Sequence, residues 1–288
     1  MILLDGKATA QKVKESIRDE VNIRKEKGMK IPNLIAVLVG ENPASMSYVK
    51  SKVKACDMVG FESYLIHLDI NTSEQELLEL IAKLNADDAI DGYIVQLPLP
   101  KHIDEDKILL AVDPKKDVDG FHPINIGRLA LSLDTIIPAT PFGIITLIEE
   151  YGIETSGKNI VVVGRSNIVG RPMSILLSQN KSYGNATVTI THSRTKNLAV
   201  ITKEADIIIA AIGKPFFITA DMVKEGAAII DVGINRIEDA SRKRGYRLVG
   251  DVDFDNVAQK TSYITPVPGG VGPMTIAMLL KNTLLATS

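Results

Sequence analysis

Three side chains on one predicted helix could carry catalytic or binding chemistry. Tyr48, Lys52 and Cys56 follow one another at intervals of four residues, within a helical stretch from about Pro43 to Val59. This spacing places them on one face of a helix. A phenol and an ammonium group so placed could offer one ligand an aromatic surface, a hydroxyl and a cation. The spacing is also typical of an ordinary surface pair, and Cys56 is most simply a small buried apolar residue.

Further polar side chains stand where α/β proteins place their binding sites. Gln96 ends a predicted strand, and the ligands of open parallel sheets bind at the carboxyl ends of strands. A later loop contains Asp117, Asp119 and His122. Because an aspartate followed by glycine is also a common turn sequence, this loop alone does not distinguish a binding site from a turn.

The strongest nucleotide-binding motif lies in the second half of the chain. An apolar segment, 160–163, runs into a turn that has Gly164 and Gly170 at its ends, and Pro172 suits the first turn of a helix. In Rossmann folds such a turn lets backbone N–H groups and a helix N-terminus approach a pyrophosphate. Ser166 replaces the middle glycine of the G-x-G-x-x-G pattern, so an ordinary strand–turn–helix junction remains the alternative.

The end of the next predicted strand indicates which dinucleotide would bind. NAD sites usually carry an acidic residue about 20 positions further on, whereas this strand leads into Ser193 and Arg194. Arg194 and Arg165 could bind a 2′-phosphate, to which Ser193 would donate a hydrogen bond. NADP is therefore favoured over NAD, and the alternative is that both arginines are solvated loop residues.

Composition excludes several classes of protein. The chain has 288 residues and a net charge of −2, which argues against nucleic-acid-coating and polybasic membrane proteins. At roughly 100–200 residues per domain, this length predicts two domains. The single cysteine permits no intramolecular disulfide, so we expect a reducing, cytoplasmic location. The apolar runs are shorter than the roughly 18 residues that span a bilayer, and the scattered histidines predict no metal site.

Strands and helices alternate along the chain, which is typical of α/β folds with mainly parallel sheets. The predicted strands are 34–39, 64–68, 93–96, 160–163, 187–191, 207–212, 227–232 and a short one at 248–249. The predicted helices are 7–27, 43–59, 73–84, 103–112, 141–151, one after Gly170, and 273–285. The proline-rich stretch 136–143 predicts a hinge between two domains.

Six segments, in order and spread over nearly the whole chain, resemble the bifunctional methylenetetrahydrofolate dehydrogenase/cyclohydrolase family. They are 43–52, 95–100, 116–120, 163–170, 231–235 and 264–275. The turn Pro266–Thr275 is particularly specific. The chain departs from the family pattern at Phe142, where the family often has a basic residue.

The resemblance implies a fold and an activity. Residues 1–138 and 270–288 would form a folate-binding catalytic domain, and residues 139–269 a Rossmann-type NADP-binding domain, with the last helix returning to the first domain. The enzyme would be a cytoplasmic homodimer that takes part in one-carbon metabolism and purine biosynthesis. It would oxidise 5,10-methylenetetrahydrofolate to 5,10-methenyltetrahydrofolate with NADP, and hydrolyse this product to 10-formyltetrahydrofolate.

The resemblance also implies the site residues. Lys52 would move protons during hydrolysis, Gln96 would hold the Lys52 amine, Tyr48 would stack on the aminobenzoyl ring, and Asp119 would accept hydrogen bonds from the pterin. These four are the expected catalytic residues. The expected substrate-binding residues are Tyr48, Val49, Lys52, Val95, Gln96, Leu97, Asp119, Pro268, Gly269, Gly270, Val271, Gly272 and Thr275. The expected cofactor-binding residues are Gly164, Arg165, Ser166, Gly170, Ser193, Arg194 and Ile234.

Two alternatives are weighed against this assignment. A short-chain dehydrogenase also combines Tyr-x-x-x-Lys with a Rossmann fold, but there the glycine-rich turn precedes the pair within one domain. Here Tyr48 and Lys52 precede Gly164 by more than a hundred residues. A non-catalytic NADP-sensing module would instead bind NADP without turnover.

Overall fold

The computed structural model describes residues 1–242 and 245–287 of the chain. The strands within these residues are β1 (Ile2–Leu3), β2 (Asn33–Val39), β3 (Glu62–Leu68), β4 (Gly92–Val95), β5 (Asn159–Val163), β6 (Thr187–Thr191), β7 (Ile207–Ala210), β8 (Ala228–Asp231), β9 (Asn235–Glu238), β10 (Tyr246–Val249) and β11 (Tyr263–Ile264). The helices there are α1 (Gly6–Glu26), α2 (Pro43–Val59), α3 (Glu74–Ala86), α4 (Glu105–Ala111), α5 (Pro123–Ala130), α6 (Ala139–Glu150), α7 (Gly170–Ser178), α8 (Leu198–Lys203), α9 (Phe254–Val257) and α10 (Val271–Ala286). Within these described residues, no helix combines the length and the hydropathy that a membrane span requires.

The chain forms two compact units. The N-terminal unit consists of Gln11–Ala139 and Ile276–Ser288, and the Rossmann unit consists of Met1–Ala10 and Thr140–Thr275. The division at Ala139 falls inside the stretch that predicts a hinge. Most of α10 belongs to the N-terminal unit, which confirms that the last helix returns there. Residues 243–244 and 288 of the expected domain ranges lie outside the described residues.

The division differs from the expected domain ranges at the beginning of the chain. Met1–Ala10 belongs to the Rossmann unit because β1 pairs in parallel with β11, with Ile2 opposite Tyr263. The Lys7 N–H also donates a hydrogen bond to the Gly269 carbonyl, at 2.9 Å. Neither strand is predicted from the sequence, because two residues are too few to show a period.

The N-terminal unit is built on a three-stranded parallel sheet in the order β3-β2-β4. Every residue of the central strand β2 is buried, as expected for a parallel strand covered on both faces. Strand β3, at the edge, is partly exposed. The core on one side of the sheet joins Val37 to Leu77 and Ile81 of α3 and to Ile108 of α4. This sheet supports the loops that follow its carboxyl ends.

The Rossmann unit contains a six-stranded sheet in the order β1-β11-β8-β7-β5-β6. All neighbouring strands in it are parallel. From β5 the chain first adds β6 on one side and then β7 on the other. Such a reversal of strand order opens a crevice at the carboxyl edge, where doubly wound sheets bind their ligands.

Several elements differ from their predicted bounds. The short strand at 248–249 is the end of β10, which pairs antiparallel with β9, an element that the sequence analysis missed. Helices α5, α8 and α9 are also not predicted from the sequence; all three are short. Predicted strands 207–212 and 227–232 extend past β7 and β8, because their last apolar residues belong to the loops at the carboxyl edge. The remaining predicted elements lie within a few residues of their observed bounds.

Candidate active site

Lys52 is the centre of a polar cluster in the N-terminal unit. Its Nζ donates a hydrogen bond to Gln96 Oε1 at 3.4 Å and lies 4.0 Å from Asp119 Oδ2. The same Nζ is 5.2 Å from the centre of the Tyr48 ring, within the range of a cation–π contact. The Lys52 side chain is only 6% exposed and that of Asp119 is 20% exposed. The four expected catalytic residues therefore lie together.

Gln96 is held in place by the end of strand β4. Its backbone N–H donates to the Val37 carbonyl at 2.9 Å, which continues the ladder between β4 and β2. Its side-chain Nε2 donates to the Leu97 carbonyl at 2.8 Å. Because the amide nitrogen is engaged there, Oε1 is left as the acceptor for Lys52. The position at a strand end, visible in the sequence, thus provides an oriented acceptor.

The loop that carries Asp119 is shaped by a second carboxylate. Asp117 is buried and accepts hydrogen bonds from the backbone N–H groups of Gly120 and His122, at 3.1 and 2.7 Å. It also accepts from Asn125 Nδ2 at 3.0 Å. Burial raises the pKa of the Asp117 carboxyl. Asp117 is therefore a structural residue of the loop, and Asp119 is the carboxylate that faces Lys52.

The imidazole of His122 has a local role as well. Its Nδ1 accepts a hydrogen bond from the Ile124 N–H at 3.1 Å, so His122 is the N-cap of α5, and Pro123 occupies the first turn. A side-chain acceptor at this position satisfies one of the free N–H groups of a helix start. The loop Asp117–His122 therefore contains both a helix N-cap and the Asp119 carboxylate that lies near Lys52.

Asn282 of α10 also fixes the Asp119 loop. Its Nδ2 donates to the carbonyls of Val118 and Ile137, both at 2.8 Å. Asn282 is fully buried, and Val118 directly precedes Asp119. Backbone bonding adds a further restraint, since the Asp119 carbonyl accepts from the Ala139 N–H at 3.2 Å. Asn282 is not predicted from the sequence as a residue of this site, because its helix shows only an apolar period.

Burial governs the protonation of the two other titratable groups on this face of α2. Burial raises the pKa of Tyr48 to about 12, and the Asp119 carboxylate adds to the effect. Burial also raises the pKa of the Cys56 thiol to about 12. Near neutral pH the Tyr48 phenol is thus a neutral donor and Cys56 is an unreactive thiol. The interpretation of Cys56 as a small buried residue agrees with its 1% exposure.

The turn after β5 is shaped for close approach of backbone. Gly164 has φ 130°, and a Cβ on it would collide with the carbonyl oxygen of Ala211. A Cβ on Gly170 would collide with the carbonyl oxygen of Gly164. Helix α7 begins directly after the turn, so its N–H groups point toward any ligand at this edge. This crowding explains why positions 164 and 170 are both glycine.

The Ser166 side chain accepts hydrogen bonds from free N–H groups at the start of α7. Its Oγ accepts hydrogen bonds from the N–H groups of Val169 and Gly170, at 3.2 and 3.3 Å. Its carbonyl accepts from the Arg171 N–H at 3.1 Å. The departure from the three-glycine pattern therefore stabilises the start of α7 instead of weakening the motif.

The loop after β6 carries hydroxyl and cationic side chains but no carboxylate through Asn197. Ser193 and Arg194 are exposed there, as is Arg165 in the turn after β5. The His192 Nδ1 accepts from the Arg194 N–H at 3.1 Å, which fixes the loop backbone. This donor set suits the 2′-phosphate of NADP better than the free 2′-hydroxyl of NAD.

The proline- and glycine-rich segment before α10 belongs to the Rossmann unit. Gly270 is buried, and its N–H donates to the Pro266 carbonyl at 2.8 Å. Thr275 and Thr140 share a hydrogen bond at 2.9 Å between their hydroxyls. The expected substrate-binding residues in this segment are Pro268, Gly269, Gly270, Val271, Gly272 and Thr275.

Two family models together match nearly the whole chain. One described as "Tetrahydrofolate dehydrogenase/cyclohydrolase, catalytic domain" matches residues 4–119, and one described as "Tetrahydrofolate dehydrogenase/cyclohydrolase, NAD(P)-binding domain" matches residues 138–288. The bifunctional protein FolD of Flavobacterium johnsoniae is 64% identical over 286 residues, covering 99% of this chain and 97% of that protein. The chain belongs to the tetrahydrofolate dehydrogenase/cyclohydrolase family.

Solved structures of tetrahydrofolate dehydrogenase/cyclohydrolases have the same fold. The bifunctional FolD enzyme from Campylobacter jejuni is 51% identical with a TM-score of 0.93, covering 100% of this chain and 98% of that chain. The methylenetetrahydrofolate dehydrogenase-cyclohydrolase from Trypanosoma brucei, complexed with NADP and an inhibitor, is 38% identical with a TM-score of 0.93. That match covers 100% of this chain and 97% of that chain.

In this tetrahydrofolate dehydrogenase/cyclohydrolase the expected site residues divide between the two units. The N-terminal unit contains seven of the expected substrate-binding residues: Tyr48, Val49, Lys52, Val95, Gln96, Leu97 and Asp119. The Rossmann unit contains the other expected substrate-binding residues, which begin at Pro268, and all seven expected cofactor-binding residues. Val49 and Val95 are buried, and Ile234 is 56% exposed. Tyr48 and Lys52 lie in a different unit from Gly164, which removes the short-chain dehydrogenase alternative.

Proposed function

We infer that this protein is a bifunctional one-carbon enzyme: an NADP-dependent methylenetetrahydrofolate dehydrogenase and a methenyltetrahydrofolate cyclohydrolase. The observation that carries this inference is the buried Lys52 ammonium, which meets Gln96, Asp119 and the Tyr48 ring. A buried lysine oriented by two polar partners beside an aromatic surface suits proton transfer on a flat, cationic substrate. Membership of the family supports the same two reactions.

The residues of the Rossmann unit fit NADP. The crowded glycine turn and the start of α7 would hold the pyrophosphate, while Ser193, Arg194 and Arg165 would hold the 2′-phosphate. NADP, when bound, supplies the acceptor for a hydride. The similar enzyme from Trypanosoma brucei is solved with NADP, which supports this choice of cofactor over NAD.

Oxidation demands mainly orientation from the protein. The methylene carbon loses a hydride with its electron pair, and the resulting methenyl cation is shared by the two flanking nitrogens. Holding the reacting groups in line therefore contributes more than a strong base would. We assign Tyr48 to stacking on the aminobenzoyl ring and Asp119 to accepting hydrogen bonds from the pterin.

Hydrolysis requires protons to move. A water oxygen bonds to the methenyl carbon and the water loses a proton; the bond from that carbon to the ring nitrogen then breaks. The nitrogen gains one proton, the new hydroxyl loses its own to become the formyl oxygen, and one proton is released overall. We assign these transfers to Lys52 Nζ, which Gln96 Oε1 holds at 3.4 Å.

A spectroscopic assay with 5,10-methylenetetrahydrofolate and either NADP or NAD tests this function. We expect NADP to be reduced and the methenyl product to pass on to 10-formyltetrahydrofolate. A folded protein that binds NADP but turns over neither cofactor would instead be the non-catalytic sensing module.

We further propose that the enzyme is a cytoplasmic homodimer whose product enters purine biosynthesis. The single, buried cysteine supports a reducing location. Light scattering of the purified protein measures its mass in solution, and a monomer would contradict the proposed dimer. Purine-dependent growth of a strain lacking the gene would support the metabolic role.

A further inference from the structure

One buried carboxylate in the Rossmann unit binds a stretch of backbone and the side chain of a second segment. Asp251 is fully buried. Its Oδ2 accepts hydrogen bonds from the N–H groups of Ile212 and Gly213, at 2.6 and 2.9 Å. Its Oδ1 accepts from the Lys214 N–H at 2.9 Å and from Asn235 Nδ2 at 2.8 Å. Four donors thus converge on one side chain.

The segments that Asp251 fastens follow neighbouring strands at the carboxyl edge. Ile212–Lys214 belongs to the loop after β7, and Asn235 follows Ile234 after β8. Strand β7 lies directly beside β5, whose turn contains Gly164. The loop after β7 touches that turn, since the Ala211 carbonyl occupies the space that a Cβ on Gly164 would need. Asp251 therefore holds the loop after β7, which contacts the glycine turn of the expected NADP site.

A second carboxylate fixes Asp251 itself. Asp231, at the end of β8, accepts hydrogen bonds from the N–H groups of Asp251 and Val252, both at 2.9 Å. It also accepts from the Gly233 N–H at 2.9 Å. A Cβ on Gly233 would collide with Asp251 Oδ1, so the two segments are packed as closely as glycine allows. The arrangement leaves little freedom to the backbone around Ile234.

The loop after β7 is also held in a costly conformation. Phe216 has φ 55°, a left-handed value that bulky residues seldom adopt. Its N–H donates to the Gly250 carbonyl at 3.2 Å, and the Ile218 N–H donates to the Asp251 carbonyl at 2.9 Å. Backbone held in such a conformation is typical of functional sites. The loop is therefore restrained at both ends of the segment 212–218.

We propose that Asp251 is a positioning residue for NADP, which holds the loop after β7 and the Ile234 segment in the shape that binds the cofactor. The proposal rests on the proposed function, because it takes this edge as the NADP site. A carboxylate is needed, since every contact of Asp251 Oδ1 and Oδ2 is with a donor. An asparagine of the same shape would set an amide N–H₂ against those donors.

Calorimetric titration of NADP into the Asp251→Asn enzyme tests the proposal. We expect the Kd for NADP to rise by at least about tenfold, because charge-assisted hydrogen bonds that shape the site are lost. The Kd for the folate substrate should stay unchanged, and the KM for NADP should rise more than kcat falls. A general loss of structure would instead affect both ligands.

Asp206→Asn provides the matched control. Asp206 precedes β7 at its opposite end, where it accepts from the Asn159 N–H at 2.9 Å and from Lys224 Nζ at 2.6 Å. Its substitution should lower stability and leave the Kd for NADP unchanged. If Asp251→Asn fails to fold, Asn235→Ala replaces it in the test. This variant removes only one of the four donors, so we expect a rise of about threefold in its Kd for NADP.

The outcomes separate the two proposals. If folded Asp251→Asn binds NADP with wild-type affinity, the positioning role is overturned and the proposed function stays intact. The same holds for Asn235→Ala when that variant replaces Asp251→Asn. An equal loss of affinity in Asp206→Asn would also overturn it, because the effect would then follow stability. Absence of NADP binding by the wild-type protein would overturn the proposed function itself.

Discussion

The Lys52 ammonium donates to Gln96 Oε1 at 3.4 Å, although the two residues are 44 positions apart in the chain. One comes from a helix and the other from the end of a parallel strand. Asp119 Oδ2 lies 4.0 Å from the same ammonium, so Lys52 is held between a neutral acceptor and an anionic one. The substitutions that test this site should therefore separate proton transfer from substrate binding.

Lys52→Met should abolish hydrolysis while some hydride transfer remains. Methionine keeps much of the volume of the side chain but can neither accept nor donate a proton. Because a positioned acid–base group contributes a factor of about 10²–10⁴, we expect the cyclohydrolase rate to fall by at least a hundredfold. Separate spectroscopic assays of methenyl hydrolysis and of NADP reduction measure the two effects.

Lys54→Met is the control for that experiment. Lys54 is on the same helix but exposed, so its substitution removes an equal charge outside the cluster. Both activities should remain close to those of the wild-type enzyme. Cyclohydrolase activity retained by Lys52→Met would remove Lys52 from the proposed mechanism.

Asn282→Leu should weaken substrate binding through the Asp119 loop. The substitution leaves the buried carbonyl of Val118 and the partly buried carbonyl of Ile137 without their donor. An unsatisfied buried group costs about 1–3 kcal/mol, and a partly buried one costs less. We expect the free energy of unfolding to fall by about 1–5 kcal/mol and the Kd for folate to rise several-fold. Urea denaturation and calorimetric titration measure these quantities.

The neighbouring residue Thr283 provides a comparison for Asn282. It is equally buried, but among the residues that the structure describes its hydroxyl bonds only to the Leu279 carbonyl of its own helix, at 2.9 Å. Thr283→Val should therefore destabilise the protein with little change in folate affinity. An Asn282→Leu enzyme with wild-type folate affinity would show that Asn282 acts on stability alone.

The parts of the site that a local pattern describes could be predicted from the sequence. Tyr48 and Lys52 share a helix face through their spacing, and the turn at Gly164 follows an apolar strand. Gln96 was found because it ends a strand. Each of these signals is confined to a window of a few residues, within which hydrophobic period and turn chemistry are informative.

The residues that act across the fold could not be predicted in this way. Asn282 binds Val118 from 164 positions away, and Asp251 binds Gly213 from 38 positions away. Nothing in the sequence around either residue distinguishes it from an ordinary polar residue, since most of its partners are backbone groups of other segments. Likewise, β1 and β11 are too short for any period and form only because β1 pairs with β11 and β11 pairs with β8.

Arg194→Ala should reduce the preference for NADP over NAD. NADP differs from NAD by one phosphate, and an arginine binds phosphate through charge-assisted hydrogen bonds worth about 1.5–3 kcal/mol. We expect the ratio of kcat/KM for the two cofactors to fall by about ten- to a hundredfold. Lys203→Ala removes an exposed charge from α8 in the same unit and should leave the ratio unchanged. An unchanged ratio in Arg194→Ala would move the 2′-phosphate contact to another residue.

Asp231 should give the enzyme a stability that decreases as the pH rises from about 4 to about 6. Burial raises the pKa of Asp231 from 3.8 to about 6, and the nearby Asp251 carboxylate adds to this effect. In that range the folded protein keeps a proton that the unfolded chain has lost, so the free energy of unfolding falls with rising pH. The loss reaches about 3 kcal/mol above pH 6, since each pKa unit corresponds to about 1.4 kcal/mol.

Denaturation curves of the wild-type enzyme and of Asp231→Asn between about pH 3.5 and about pH 7, a range that includes both the ordinary and the raised pKa, measure this contribution. The variant lacks the titrating group, so its stability relative to the wild type should be lowest at acidic pH and should improve through the range. The other carboxyl groups titrate in both proteins and cancel in the difference. A difference that stays constant with pH would mean that the three backbone N–H groups bonded to Asp231 offset its burial and keep it ionised.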